Sequence, residues 1–165
     1  MKIERILYNI ELELNSIKFP YSNRKITTDS DLDKPQGFVL GLTKHRFKQT
    51  IHISKHTEKF FHLFELITQF VRSIAPKFEF TSIQVNKNVL CKPHKDVFNN
   101  GDSLIFGLGT YENGGELVIE SIPYDIKRKV LVFDGSKSLH WVNNWEFGDR
   151  YTITCYSITS NRSDL

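Results

Sequence analysis

Cysteine is scarce in this sequence, with two residues, Cys91 and Cys155, in a chain of 165. So few thiols exclude a disulfide framework and a zinc cluster built on thiolates, and they favour a reducing compartment. Long hydrophobic runs are also missing, because no stretch of about 18 apolar residues occurs and charge appears from Lys2 onward. We therefore expect neither secretion nor membrane insertion, and a location in the cytoplasm or the nucleus.

Methionine is almost absent, whereas phenylalanine is abundant, with thirteen residues against one methionine. This ratio predicts a core built on rigid aromatic and β-branched side chains. The hydrophobic fraction of 39% and the charged fraction of 25% are typical of a globular protein, and the length predicts a single domain over residues 1–165. The net charge of +3 is compatible with a polyanionic partner but does not identify one. The sequence does not indicate the oligomeric state.

The first part of the chain shows the three- and four-residue spacing of an amphipathic helix. Alternation in Glu11–Leu14 is also compatible with a strand, so two interpretations stand for this segment. Turn-forming residues predict a surface loop over 20–36, and two short apolar segments, Phe38–Leu42 and Thr50–Ile53, predict strands. The helical interpretation depends on the apolar residues Ile3, Ile6, Leu7, Ile10, Leu14 and Ile17.

A second helix is predicted from Thr57, a candidate N-cap, to Ile74, and Pro76 ends it. From Phe78 onward the spacing changes to short β segments separated by turns. The turn sequence Asn113-Gly114-Gly115 predicts a hairpin between two of these strands. The predicted strands lie near residues 79–86, 103–109, 115–120, 125–133, 139–142 and 150–158.

Helices followed by many short strands indicate an α+β fold. We expect a double-stranded β-helix, the jelly-roll or cupin-like barrel of two sheets, with the N-terminal helices packed on one sheet. In this interpretation the helical support spans about residues 1–77 and the jelly-roll core about residues 78–160.

His94 and Asp96 are two ligand-type residues separated by one position. On extended backbone their side chains leave the same face, so both can reach one ion. His140 is the candidate for the third ligand, because it follows the apolar run Val130–Phe133. Two imidazoles and one carboxylate on one side of an ion form the facial triad of Fe(II) oxygenases, which leaves positions open for a co-substrate and O₂. Alone, such a triplet is more often an ordinary surface pair.

Arg150 follows His140 by ten residues on a predicted strand, and Thr152 is the next residue on the same face. A guanidinium matches the geometry of a carboxylate, and a nearby hydroxyl can complete the contact. This pair is therefore a candidate for binding the distal carboxylate of 2-oxoglutarate. The alternative for Arg150 is a surface salt bridge with Asp149 or Glu146.

Taken together, these residues resemble the 2-oxoglutarate/Fe(II) dioxygenase superfamily over residues 78–158. Gly114-Gly115-Glu116-Leu117 and Phe133-Asp134-Gly135 are similar to segments that accompany the ligands in that superfamily. The resemblance implies Fe(II) on His94, Asp96 and His140, with 2-oxoglutarate and O₂ as co-substrates and ascorbate as a stimulant. It also places Asn86 near the co-substrate.

The segments Gln84–Asn88 and Pro93–Ser103 are similar to the TET/JBP branch, which oxidises the methyl group of 5-methylcytosine or thymine in nucleic acid. Asn99 stands where TET enzymes contact the flipped base, and an amide can both donate to and accept from a base edge. Trp141 and Trp145 are candidate aromatic surfaces for a base that leaves the stack, with ordinary packing as the alternative. The resemblance therefore implies nucleic acid, and DNA in particular, as the substrate.

Other interpretations of the substrate and of the surface stay open. A prolyl or other protein side-chain hydroxylase of the same superfamily would suit the Gly-Gly-Glu-Leu segment equally well, and a catalytically silent jelly-roll binding module is a third possibility. Asn99 can simply belong to a turn with Asn100 and Gly101. The basic cluster Lys44–Lys48 can contact phosphates or form an ordinary solvated loop.

Overall fold

A computed structural model of the chain describes residues 2–22, 35–45 and 47–159. The predicted loop over 20–36 therefore lies mostly outside the described residues, as does Arg46 of the basic cluster. The helices are α1 (Ile3–Ser16), α2 (His56–Lys59) and α3 (Phe61–Ile74). The strands are β1 (Gln36–Lys44), β2 (Ile51–Ile53), β3 (Ser82–Lys87), β4 (Ser103–Gly109), β5 (Leu117–Ile119), β6 (Ile122–Tyr124), β7 (Val130–Phe133), β8 (His140–Val142) and β9 (Arg150–Tyr156).

The strands form two antiparallel sheets. The larger has the order β2-β1-β3-β9-β4-β7, and the smaller has the order β6-β5-β8. The two central strands of the larger sheet, β3 and β9, come from opposite ends of the β-rich region, and all of β3 pairs with residues 151–156 of β9. The combination of helices with antiparallel sheets confirms the predicted α+β class, and β1 and β2 show that the N-terminal part also contributes to the larger sheet.

The two faces of the larger sheet have different chemistry, because side chains alternate along each strand. On β9, Tyr151, Ile153 and Cys155 are at most 1% exposed and belong to the main core. That core joins the sheet to α1 and α3, so the helices pack on one sheet as predicted; for example, Phe70 of α3 lies with its ring centroid 4.8 Å from that of Phe106. The opposite face carries the polar residues of β9.

The start of the second helix differs from the prediction. Thr57 is not an N-cap: it lies inside the short helix α2, and its hydroxyl oxygen accepts a hydrogen bond from Gly41 N–H at 2.9 Å. Ser54 is the residue whose hydroxyl accepts the N–H of His56, at 3.3 Å. Phe60, with φ −112°, separates α2 from α3, so the predicted single helix is two. The predicted end before Pro76 is confirmed.

The predicted hairpin at Asn113-Gly114-Gly115 is wrong. β4 and β5, which flank it, belong to different sheets, so the segment crosses from one sheet to the other. Gly114 has φ 124°, and a Cβ there would collide with Asn144 O. Glycine at this position therefore allows the backbone at 114 to lie close to the backbone of Asn144. The tight hairpin joins β5 to β6 through Glu120 and Ser121, whose φ angles of 47° and 69° fit a type I′ turn without its usual Asn-Gly sequence.

The strand predicted over 125–133 is shorter than expected. It begins only at Val130, because Asp125 accepts the N–H of Lys127 in a turn and Arg128 has φ 57°.

The segment Glu11–Leu14 is helical, which resolves the ambiguity of the first helix. Among the described residues, no helix is long and apolar enough to cross a membrane.

The contact between Phe70 and Phe106 predicts that truncating Phe70 is costly. Phe70→Ala leaves a cavity between α3 and the larger sheet, and we expect a loss of about 3–5 kcal/mol in the free energy of unfolding, measured by urea titration. Phe61→Ala, on the same helix but 51% exposed, is the matched control and should change little. Equal losses in the two variants would contradict this account of the core.

Candidate active site

His94 and His140 lie directly opposite each other on antiparallel backbone. His94 N–H donates to His140 O at 3.0 Å, and His140 N–H donates to His94 O at 3.1 Å. Because the two residues face each other across the pair, their side chains leave the same face, and their ring centroids are 4.3 Å apart. His140 begins β8, so this pairing attaches the segment before β4 to the smaller sheet.

Asp96 completes a compact group of three ligand-type side chains. Its Oδ2 lies 3.2 Å from His140 Nε2, and its Oδ1 lies 3.7 Å from His94 Nε2. Ligand atoms at right angles about 2.1 Å from an ion would be about 3 Å apart. One possible ligand atom from each residue lies within 4.8 Å of the other two. The predicted ligands therefore have the spacing that one metal ion requires.

Hydrogen bonds determine which imidazole nitrogen is available to a metal. His94 Nδ1 lies 2.6 Å from Lys92 O, and His140 Nδ1 lies 2.9 Å from Ser138 O. A backbone carbonyl only accepts, so each Nδ1 carries a proton and donates it. Each Nε2, the nitrogen facing Asp96, then carries the lone pair of the neutral ring. This is the usual arrangement of metal-binding histidines, oriented by a bond at the other nitrogen.

The surroundings favour positive charge at this point. Burial lowers the pKa of His140, but hydrogen bonds to Asp96 and to the Ser138 carbonyl outweigh it, so the pKa lies above its ordinary value. Asp96 is held in place by its own N–H, which donates to Gly135 O at 2.8 Å. A Cβ at Gly135 would lie 3.3 Å from Asp96 Oδ2, so the small residue leaves room for the carboxylate.

Arg150 is a buried cation that lacks a full set of partners. Its side chain is 2% exposed, and its Nε donates to Gly115 O at 3.0 Å. The guanidinium carbon lies 5.5 Å from the ring centroid of Tyr111 and 5.7 Å from that of Trp145. Within the described part of the chain its Nη2 has no hydrogen-bond partner. Burial lowers the pKa of Arg150, and an anion at Nη2 would offset that cost.

The alternative of a surface salt bridge for Arg150 is wrong. The carboxylate of Asp149 accepts from Asn88 Nδ2 at 2.8 Å, and that of Glu146 accepts from Asn113 Nδ2 at 3.1 Å. Among the described residues, neither acid forms an ion pair with Arg150. The guanidinium packs instead against the rings of Tyr111 and Trp145, in cation–π contacts.

One cavity collects all the residues that the sequence analysis selected for the site except Trp145. Its lining includes the three candidate ligands and the candidate co-substrate and substrate residues: His94, Asp96, His140, Arg150, Thr152, Asn86, Asn99 and Trp141. Trp145 is different, because its ring packs on Arg150 and its Nε1–H donates to Gly148 O at 3.1 Å. These contacts correspond to the ordinary packing that was the alternative for Trp145.

The cavity also has lining residues to which the sequence analysis gave no role in the site, among them Ser22, Pro35, Gln84, Thr154 and Tyr156. For Thr154 and Tyr156 a signal was available, since they continue the face of Arg150 and Thr152 in steps of two.

Cys91 lines the same cavity outside the ligand group, whereas Cys155 is fully buried, and burial raises the pKa of its thiol. The remaining histidines lie outside the ligand group as expected: His45, His52, His56 and His62.

Solved structures of other proteins share the fold of this chain. The chain superposes on NgTET1, solved in complex with 5mC DNA, with a TM-score of 0.60 and 14% identity over 94% of this chain and 67% of that chain. It superposes on an oxidoreductase of the 2OG-Fe(II) oxygenase family from Burkholderia pseudomallei with a TM-score of 0.59 and 15% identity over 91% of this chain and 77% of that one. The chain has the fold of the 2-oxoglutarate/Fe(II) oxygenases.

The oxygenase fold confirms the resemblance that the sequence suggested. The likeness lies in structure, since no protein-family model matches the sequence and no curated protein matches it. The two sheets and the helices that cover the larger one are consistent with a jelly-roll arrangement.

The ligand group predicts one metal site per chain. Asp96→Ala removes the carboxylate between the two imidazoles, and we expect affinity for Mn(II), a stand-in for Fe(II), to fall by at least about 100-fold in calorimetric titration. Asp125→Ala removes a carboxylate of similar type that is exposed and paired with Lys129, so it should bind the metal normally. Undiminished binding by the Asp96 variant would reject the metal assignment.

Proposed function

We propose that the chain is an Fe(II)- and 2-oxoglutarate-dependent dioxygenase that hydroxylates the methyl group of 5-methylcytosine or thymine in nucleic acid. The observation that carries the proposal is the presence, in one cavity, of a His-Asp-His ligand group and a buried arginine with an unsatisfied nitrogen. In the proposed structure the two sheets are the two sheets of a jelly-roll barrel, and the cavity lies between them.

The three candidate ligands fit Fe(II). Two neutral imidazoles and one carboxylate suit a divalent first-row metal, and a set of only three leaves coordination positions open. His94, Asp96 and His140 would hold the ion. When bound, iron with 2-oxoglutarate and O₂ supplies the oxidising chemistry, in which 2-oxoglutarate loses CO₂ to become succinate while a substrate C–H becomes C–OH, and ascorbate keeps the iron reduced.

The residues around Arg150 fit a dicarboxylate co-substrate. The free Nη2 requires an acceptor, and a carboxylate provides the strongest one for a guanidinium. Thr152 follows on the same face of β9, is 7% exposed and lines the same cavity. The ring of Tyr111 lies beside the guanidinium, with its centroid 5.5 Å from the guanidinium carbon. These groups orient the co-substrate, and the rings of Tyr111 and Trp145 exclude water from the charge.

The substrate class rests on the residues near the metal and on one structural relative. Asn99 lines the cavity three residues after Asp96, and its N–H donates to Asp96 O at 2.9 Å, so the turn alternative and a binding role are compatible. Its side-chain amide can pair with the edge of a base, and Trp141 offers an aromatic surface. NgTET1, the relative of similar fold, was solved with 5mC DNA. DNA is therefore the first substrate to test.

Arg150 predicts a selective effect on the co-substrate. Arg150→Lys keeps the charge but loses the planar fork, so we expect the Kd for 2-oxoglutarate to rise about 10–100-fold while Mn(II) affinity is unchanged. Calorimetry on the Mn(II)-loaded protein measures both values. Arg128→Lys is the matched control, because Arg128 is 42% exposed and its ion-pair partner is Glu11. Normal 2-oxoglutarate binding by the Arg150 variant would remove this residue from the site.

The substrate is tested by nucleoside mass spectrometry. Protein with Fe(II), 2-oxoglutarate and ascorbate is incubated with DNA that contains 5-methylcytosine and with unmodified DNA. We expect hydroxymethylated nucleosides that are absent with Asp96→Ala, and the parent base that is lost distinguishes methylcytosine from thymine. Succinate formation with unchanged nucleosides would refute the DNA substrate and direct the search to RNA or to protein side chains, and no succinate at all would refute the oxygenase.

A further inference from the structure

Gln84 is a buried polar residue of the cavity that the proposed chemistry does not yet use. It lies on β3 two positions before Asn86, so the two side chains leave the same face of the strand. Gln84 is 7% exposed, and its Nε2 donates two hydrogen bonds, one to Phe38 O at 3.3 Å and one to Asn86 Oδ1 at 2.9 Å. Both residues line the cavity.

These two bonds determine the orientation of both amide groups. A backbone carbonyl only accepts hydrogen bonds, so the Gln84 atom that faces Phe38 O must be the NH₂ group. The same NH₂ group also faces Asn86, so the Asn86 atom that it meets must be the carbonyl oxygen. The remaining polar atom of Asn86, the donor Nδ2, is then the one available to the cavity.

The neighbouring strands leave space for this amide pair and place other donors beside it. Gly37 of β1 is paired with Asn86, and a Cβ at position 37 would overlap Asn86 Oδ1 and lie 3.3 Å from Gln84 Nε2. On the other side of β3, Thr152 is paired with Asn86. Arg150 precedes Thr152 by two positions, so amide, hydroxyl and guanidinium donors lie on one continuous face.

We propose that Gln84 is a positioning residue that holds Asn86 with its Nδ2 donor toward the cavity, for an oxygen of the 2-oxoglutarate co-substrate. The inference rests on the proposed function. Without Gln84 the amide of Asn86 can turn over and present its oxygen, which repels a carboxylate or keto oxygen. The effect of Gln84 on the co-substrate therefore passes through Asn86, whereas the metal ligands are untouched.

A double-mutant cycle tests the proposal. The variants are Gln84→Met, Asn86→Ala and their combination, and the measured quantity is the Kd for 2-oxoglutarate with Mn(II)-loaded protein. We expect Gln84→Met alone to raise the Kd about tenfold and Asn86→Ala to raise it at least as much, each through loss of a hydrogen bond to a charged ligand. The combined variant should bind no more weakly than Asn86→Ala alone.

Controls separate positioning from a general effect on the fold. Gln69→Met makes the same change at an exposed position of α3 and should leave the Kd unchanged, and Mn(II) affinity should be normal in every variant. If methionine at position 84 prevents folding, Gln84→Ala removes the same two bonds without added volume and completes the cycle. Additive losses from the two substitutions, or a normal Kd in the Gln84 variant, would overturn the inference while the proposed function stands. Failure of the unchanged protein to bind 2-oxoglutarate would overturn both.

Discussion

The site depends on one pair of backbone hydrogen bonds, those between His94 and His140. Two of the three candidate ligands are thereby held opposite each other by main-chain bonds in which their side chains take no part. The same pair ties the segment between β3 and β4 to the smaller sheet, and the N–H of Asp96 adds a second attachment at Gly135 O. The two imidazoles are close together because the backbone segments of His94 and His140 are paired. The hydrogen bonds from each Nδ1 to a backbone carbonyl then fix the orientation of each ring.

β9 shows how one strand serves both stability and function. Its residues 151, 153 and 155 belong to the core shared with α1 and α3, and residues 150, 152 and 154 line the cavity. Because the period of a strand is two, a shift of one residue in its pairing with β3 would turn the polar set toward the helices and the apolar set toward the cavity. The large apolar area against the helices therefore fixes the register, and the register fixes where Arg150 lies. The core and the site are two consequences of the same alternation.

The sequence predicted the parts of the molecule whose signals are local. Strand alternation and helical spacing located most elements. The spacing of His94 and Asp96 puts both side chains on one face of any extended segment, so the pair could be predicted without the fold. Some of the failures share one cause, which is that the decisive contact comes from residues distant in sequence. The glycines at 114 and 115 resemble a hairpin, but what they accommodate is the approach of Asn144. Thr57 resembles an N-cap, but its hydroxyl is used by Gly41. Gln84 has no role that its local sequence indicates, and its contact with Phe38 exists only after β1 and β3 pair.

The pairing of His94 with His140 also bears on how the protein reaches its native state. The two residues are far apart in the chain, so their pairing costs loop entropy, and the candidate ligand group is complete only when that pairing has formed. An ion that needs all three ligands has little affinity for a partly folded chain, and by mass action it stabilises the native state over every earlier one. Metal supply would then govern the lifetime of the folded protein as well as its chemistry.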